Sequence, residues 1–178
     1  MLSTEISRYL YTHNVMTIAS CYRGVPWASA VFYASDGFDL YFLSSFKSRH
    51  GQYIALNPRV SAAIQEDYRD WREIRGIQLE GRAERMRSAK QKTQFWEIYL
   101  GKFPFVKKFF EPGPLQAKLS SKLRGIGLYR IVPAAIWYLD NRKGFGHREK
   151  FDIVEPQAKV AKRSRIRQSN ASNWRPRQ

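Results

Sequence analysis

The stretch FLSSFKSRHGQYIALNPRVS, residues 42–61, reads as the end of a strand, the start of a helix and the beginning of a second strand. FDLYFLS (38–44) is an apolar run of strand length, preceded by the tight turn Ser35-Asp36-Gly37. Ser48 stands where an N-cap is wanted, which predicts a helix over 48–56, and Asn57-Pro58 stops it. RVSAAIQE (59–66) resumes as strand. Between the apolar run and the helix lies SSFKSRHGQ (44–52), with no Gly, Pro, Asn or Asp before Gly51. Hydroxyls and cations at a helix start suit an anion. The first N–H groups of the helix are free, the serines add hydroxyl donors, and an arginine fork matches phosphate oxygens. Ser44, Ser48 and Arg49 are the candidate phosphate ligands, with Lys47 or His50 as a further donor. The competing reading is an N-cap serine with solvated cationic neighbours.

Outward from this stretch the chain is rich in strands. Residues 4–13 carry Ile6, Tyr9, Leu10 and His13 at helical spacing, with Ser3 or Thr4 as N-cap. VMTIASCY (15–22) and PWASAVFYA (26–34) flank the turn Arg23-Gly24 and predict a hairpin. DYRDWRE (67–73) is a polar link. IRGIQLEGRAERM (74–86) is a long strand with Ile77 and Leu79 on one face and Gln78 and Glu80 on the other. Ser88 caps a helix over 89–100 presenting Phe95, Trp96, Tyr99 and Leu100, and FPFVKKFF (103–110) is a further short helix. GLYRIVP (127–133) and AAIWYLD (134–140) read as two strands split by Pro133. Short turns between most strands predict an antiparallel β-barrel with peripheral helices, an α+β protein whose helices pack outside the barrel or over an end.

Composition narrows the function classes. The 178 residues are 43% hydrophobic and 15% aromatic, which fits one globular domain. No apolar run of membrane-spanning length occurs, and MLSTEISRYLYTHN lacks the pattern of a signal peptide. A single cysteine, Cys21, makes no internal disulfide, so a reducing, cytoplasmic setting is expected and Cys21 reads as a small core residue. The net charge is +16, but the seven Lys and Arg after Glu155 face no acid, leaving 24 Lys and Arg against 15 acids in residues 1–155. Residues 155–178 are read as a basic disordered tail, either solubilising or able to meet nucleic acid or an anionic membrane electrostatically. His13, His50 and His147 with Cys21 give no metal-ligand spacing, and neither G-x-S-x-G nor a P-loop occurs.

FLSSFKSRHGQYIALNPRVS resembles the segment of the pyridoxamine 5′-phosphate oxidase family in which F-Y-T-N-x-x-S-R-K leads to N-P-R. The two align without a gap: Phe42, Ser44 for Thr, Ser48, Arg49, His50 for Lys, then Asn57-Pro58-Arg59. IQLEGRAERM (77–86) resembles the family's V-x-V-x-G-x-A-E-R-L strand. ISRYL (6–10), IRGIQLEG (74–81) and GFGHREK (144–150) resemble the YhbP-like branch, in the same order. The resemblance spans residues 5–153 and implies an antiparallel split β-barrel of the FMN-binding type over residues 1–154. It also implies a homodimer holding flavin mononucleotide (FMN) between subunits. Carried over position by position, Ser44, Ser48, Arg49 and His50 hold the FMN phosphate. Val31 and Phe32 offer backbone contacts to the ring, and Trp137 and Arg148 lie on the flavin side.

The departures bear on activity. The family's substrate-gripping Arg and His of R-L-H fall at Gly144 and Gly146, its ring-side Gln at Gly76, and two of three substrate-phosphate anchors at Phe103 and Lys107, with only Tyr99 kept. Charged hydrogen bonds are each worth roughly 1.5–3 kcal/mol, so the losses argue against pyridoxamine-phosphate oxidation. A Gly-x-Gly pair around Phe145 is either a flexible turn or a place where backbone approaches a ligand. The resulting expectation is a flavin-binding oxidoreductase of a different specificity. The alternatives are a non-catalytic module for haem or another planar anionic ligand on the same barrel, or a nucleic-acid or membrane binder acting through the tail.

Overall fold

Two tight turns set the first three strands. Arg23 and Gly24 take φ +51° and +78° and join β1 (Val15–Tyr22) to β2 (Val25–Asp36), as a two-residue hairpin turn requires. Gly37, at φ +59°, serves the turn from β2 to β3 (Asp39–Ser45). The computed structural model describes residues 1–114, 117 and 124–153, and the basic tail expected over 155–178 lies outside the described residues. The remaining elements are α1 (Leu2–Thr12), α2 (Arg49–Leu56), β4 (Arg59–Gln65), β5 (Arg75–Arg85), α3 (Ala89–Lys102), β6 (Ile126–Asp140) and β7 (Arg148–Asp152). Short 3-10 turns occupy Trp71–Glu73, Pro104–Phe109 and Asn141–Lys143.

The antiparallel sheet runs β3-β2-β1-β4-β5-β6-β7, and an additional β3–β6 pairing closes six strands into a barrel. The split-barrel expectation holds. Alternation explains the interior: Met16 and Ile18, Leu40 and Phe42, Ile64, Ile77 and Leu79, and Ile131 and Ile136 all point inward and are buried. Each such side chain contributes about 1.5–3 kcal/mol relative to exposure. The run DLYFL lacks polar alternation because both faces of β3 are covered. Leu40 and Phe42 fill the barrel, while Tyr41 packs beneath α3 with Phe95 and Tyr99. Ser88 and Gln91 form a reciprocal capping box at the start of α3.

Three details differ from the sequence reading. The first helix starts at Leu2 with Met1 at the N-cap and no side-chain cap, two or three residues earlier than Ser3 or Thr4 suggested. β6 is one strand through Pro133. One edge pairs with β5, and the other is shared by β3, up to Ile131, and β7, from Ala135. Pro133 falls in the gap between those two partners, next to a bulge in β6 where Ala134 is the extra residue opposite Glu80/Gly81 of β5, and there its missing N–H is tolerated. β7 was not expected, since REKFD carries no apolar run. Among the described residues no helix is long and apolar enough to cross a membrane.

Candidate functional site

β2 and β3 pair only from Tyr33–Asp36 to Asp39–Phe42. Beyond Phe42, β3 stays with β6 as far as Ser45, and β2 stays with β1 back to Val25. The two strands therefore part. Continued register would set Phe32 against Leu43 and Val31 against Ser44, so the sequence-derived ring contacts and the first phosphate ligand border the same split. Tyr33 donates its N–H to the Asn14 carbonyl at 2.9 Å. Antiparallel alternation then turns the N–H and C=O of Val31 towards Met16 in β1, and those of Ala28, Ala30 and Phe32 towards the split. Of the two expected backbone contacts, only Phe32 faces the split through its main chain. Val31 packs its side chain against the core, and Phe32 is 52% exposed. The Phe32 carbonyl already accepts the Tyr99 hydroxyl at 3.4 Å.

On the β3 side the chain turns through Phe46-Lys47 into α2. Ser48 is the N-cap: its hydroxyl accepts the Gly51 N–H at 3.2 Å and donates to the Ser45 carbonyl at 2.6 Å. The His50 ring folds back onto the strand end, with Nε2 2.5 Å from Ser44 Oγ and 3.2 Å from Ser48 Oγ. His50 is only 8% exposed, and burial lowers its pKa from the ordinary histidine value, which favours the neutral ring at neutral pH. The backbone N–H groups of Arg49 and His50 have no partner among the described residues. Two amide donors and two hydroxyls thus converge at the positive end of α2, a donor set that fits a phosphate.

Arg49 is exposed and held beside this cluster. Its guanidinium lies 4.5 Å from the Trp27 ring centre and 5.3 Å from that of Tyr53, and Nε donates to the Tyr53 hydroxyl at 3.0 Å. The outer fork of the guanidinium has no partner among the described residues. Sequence reading missed Trp27 and Tyr53. Tyr53, four residues after Arg49 on a helix, was within reach of sequence spacing. Trp27 arrives through the β1–β2 hairpin and had no local signal. Gly51 was also missed as a site residue: a Cβ there would lie 2.6 Å from the Ser45 carbonyl oxygen, so glycine lets α2 start against the strand end.

Trp137 and Arg148 lie together elsewhere. They line an outer groove of about 480 Å³ with Thr17, Ala63 and Gln78, and Lys150 stands over the Trp137 ring at 5.7 Å. No residue of the Ser44–His50 cluster lines this groove. Gly144 and Gly146 take φ +143° and +69° and hold Phe145 out, 85% exposed, with its ring 5.3 Å from Trp71. Among the described residues no group of His, Cys, Asp and Glu is placed to hold a metal ion.

A family model described as pyridoxamine 5′-phosphate oxidase matches residues 2–139. UPF0306 protein YhbP of Salmonella arizonae is 25% identical over 158 residues, 83% of this chain and 91% of that protein. UPF0306 protein plu4501 of Photorhabdus laumondii is 30% identical over 90 residues, 49% of this chain and 63% of that protein's length. Among solved structures, a heme binding protein from Mycobacterium smegmatis aligns with a TM-score of 0.62 at 21% identity, over 84% of this chain and 55% of that one. A FAD-binding protein from Mesorhizobium loti aligns with a TM-score of 0.55 at 23% identity, over 75% of this chain and 91% of that one. At these identities the two structures share the barrel fold with this chain.

Proposed function

The chain belongs to the pyridoxamine 5′-phosphate oxidase family, and from that premise we propose that it is an FMN-binding oxidoreductase that does not oxidise pyridoxamine phosphate. The observation that carries the reading is the convergence of Ser44, Ser48, His50 and the free Arg49 and His50 amides at the start of α2, beside the split between β2 and β3. Ser44 donates its hydroxyl proton to the phosphate oxygens, Ser48 does so by turning its proton away from the Ser45 carbonyl, and the Arg49 fork adds a charge-assisted pair. A dianion beside His50 draws its pKa back up, so the imidazole becomes a further donor on binding. Phe32 and Ala30 present main-chain donors and acceptors to the edge of the ring. A bound flavin supplies the electron-accepting chemistry, and the protein's part is to place it and shield it.

Within one chain, none of the cradle residues is among the described residues that line the Trp137–Arg148 groove. A homodimer in which each subunit brings its Trp137 and Arg148 to its partner's flavin reconciles the two halves of the site. The Mesorhizobium loti neighbour is described as FAD-binding and the Mycobacterium smegmatis neighbour as heme-binding, so the cofactor class is the first point to test. The absorbance spectrum and mass of the molecule that co-purifies with the protein provide that test. Flavin bands with the mass of FMN support the reading, and a Soret band overturns it in favour of a haem module.

A further inference from the structure

Beneath α1, between that helix and the ends of β5 and β6, lies a cavity of about 470 Å³. It shares no lining residue with the cradle or with the Trp137–Arg148 groove. Several of its polar groups are committed to one another. His13 Nε2 meets Glu66 Oε1 at 2.9 Å, and His13 Nδ1 meets the Tyr9 carbonyl at 2.7 Å. The Tyr9 hydroxyl donates to the Arg75 carbonyl at 3.0 Å, and Arg142 forks onto Asp140 at 2.8 and 2.6 Å.

Three groups are not committed. Tyr138 is 4% exposed and lines the cavity, yet its hydroxyl has no hydrogen-bond partner among the described residues. Arg75 Nε is buried and unpartnered, and the Arg75 guanidinium has no carboxylate within ion-pair distance there. Arg8, from α1, likewise lines the cavity without a carboxylate partner among the described residues. Buried donors are almost always hydrogen-bonded in folded proteins, so the unpartnered Arg75 Nε, beside a partly open cavity that the Tyr138 hydroxyl and the exposed Arg8 also line, asks for an acceptor from outside the chain. Its volume lies within the range of small-molecule sites, roughly 300–1,000 Å³.

We propose that this cavity binds a small organic anion, its carboxylate or phosphate oxygens taken by the Tyr138 hydroxyl and the Arg75 guanidinium, with Arg8 closing over them from α1. The His13–Glu66 pair on the same wall then faces the rest of the ligand and offers an acceptor to a hydroxyl or amine. The site is independent of the flavin reading, since none of its residues belongs to the cradle.

The test titrates the full-length protein with succinate and with inorganic phosphate, by calorimetry and by thermal shift, at constant ionic strength set with chloride. At least one probe is expected to bind saturably and raise the melting temperature. Tyr138→Phe should melt like the wild type without probe, because its hydroxyl has no protein partner, and should bind about 5- to 10-fold more weakly, the loss of one hydrogen bond. Arg75→Met should lose at least about tenfold, and saturating the cradle with FMN should leave the probe's affinity unchanged. The proposal falls if neither probe binds, if chloride reproduces the shift, if Tyr138→Phe binds unchanged, or if FMN displaces the probe and so places the anion at α2. Should Arg75→Met fail to fold, Tyr138→Phe decides the matter alone.

Discussion

Gly51→Ala pits two effects of opposite sign against each other. Gly51 lies in the first turn of α2, where alanine should stabilise the helix by up to about 1 kcal/mol relative to glycine. The added Cβ, however, would stand 2.6 Å from the Ser45 carbonyl oxygen and 3.1 Å from both Phe46 Cα and Ser48 Oγ. The nearest atom is backbone at the end of a strand paired to β6, so it cannot swing aside. Relieving the contact means moving the start of α2 by several tenths of an ångström. Overpacking of this kind costs about 1–3 kcal/mol, and straining the Ser48 cap adds up to about 1 kcal/mol. The clash wins, leaving a net loss of about 1–3 kcal/mol. For a chain of this size that lowers the melting temperature by roughly 2–12 °C. The same displacement separates Ser48 from Ser44 and His50, so FMN affinity should fall together with stability. Thermal denaturation of the apo-protein and a fluorescence titration with FMN measure both. A variant that melts higher than wild type and binds FMN unchanged would refute the close approach and the geometry built on it.

Two further outcomes follow from particular residues. Lys102 donates to the His13 carbonyl and stands over the Tyr33 ring at 4.6 Å, and burial pulls its pKa down to about 8. The unfolded chain therefore binds this proton more tightly, so stability should rise with pH from about 8 to 9.5, before the buried tyrosines begin to oppose it. In Lys102→Met that rise should disappear from a pH series of melting temperatures, and an unchanged slope would contradict the assignment. Gly144, Gly146 and Phe103 carry none of the anchoring side chains that pyridoxamine-phosphate oxidation requires in the resembling family, so the FMN-loaded protein should form no pyridoxal phosphate from pyridoxamine phosphate. Steady product formation in a stopped assay would overturn that.

Much of the fold was legible because its signals are local. Arg23-Gly24, Asn57-Pro58 and the Ser88 cap mark boundaries within a residue or two, and the alternation of Ile77 and Leu79 with Gln78 and Glu80 gave the inner face of β5. β6 misled because Pro133 is a breaker only where an N–H is needed, and the gap between β3 and β7 is a property of the closed sheet. β7 escaped because a strand that only extends one edge needs no apolar face. At the site, Ser48 could be read from helix-start spacing alone. The His50 contact with Ser44 depends on how six residues fold back, and the choice of Phe32 over Val31 for a main-chain contact depends on ladder parity, which one hydrogen bond from Tyr33 decides. The Arg49 stack on Trp27 joins α2 to a hairpin 22 residues away, a pairing that no local pattern carries.

The central claim is that Ser44, Ser48, His50 and Arg49 hold a flavin phosphate, and titration of the apo-protein with FMN and with riboflavin tests it most directly. The account predicts that FMN binds the wild type far more tightly than riboflavin does. It also predicts that Arg49→Ala weakens FMN by about 10- to 100-fold, the worth of a charge-assisted contact, while leaving riboflavin nearly unchanged. Equal affinity for the two flavins, or an Arg49→Ala loss shared alike by both, would contradict it and leave SSFKSRHGQ an ordinary helix start with solvated charges.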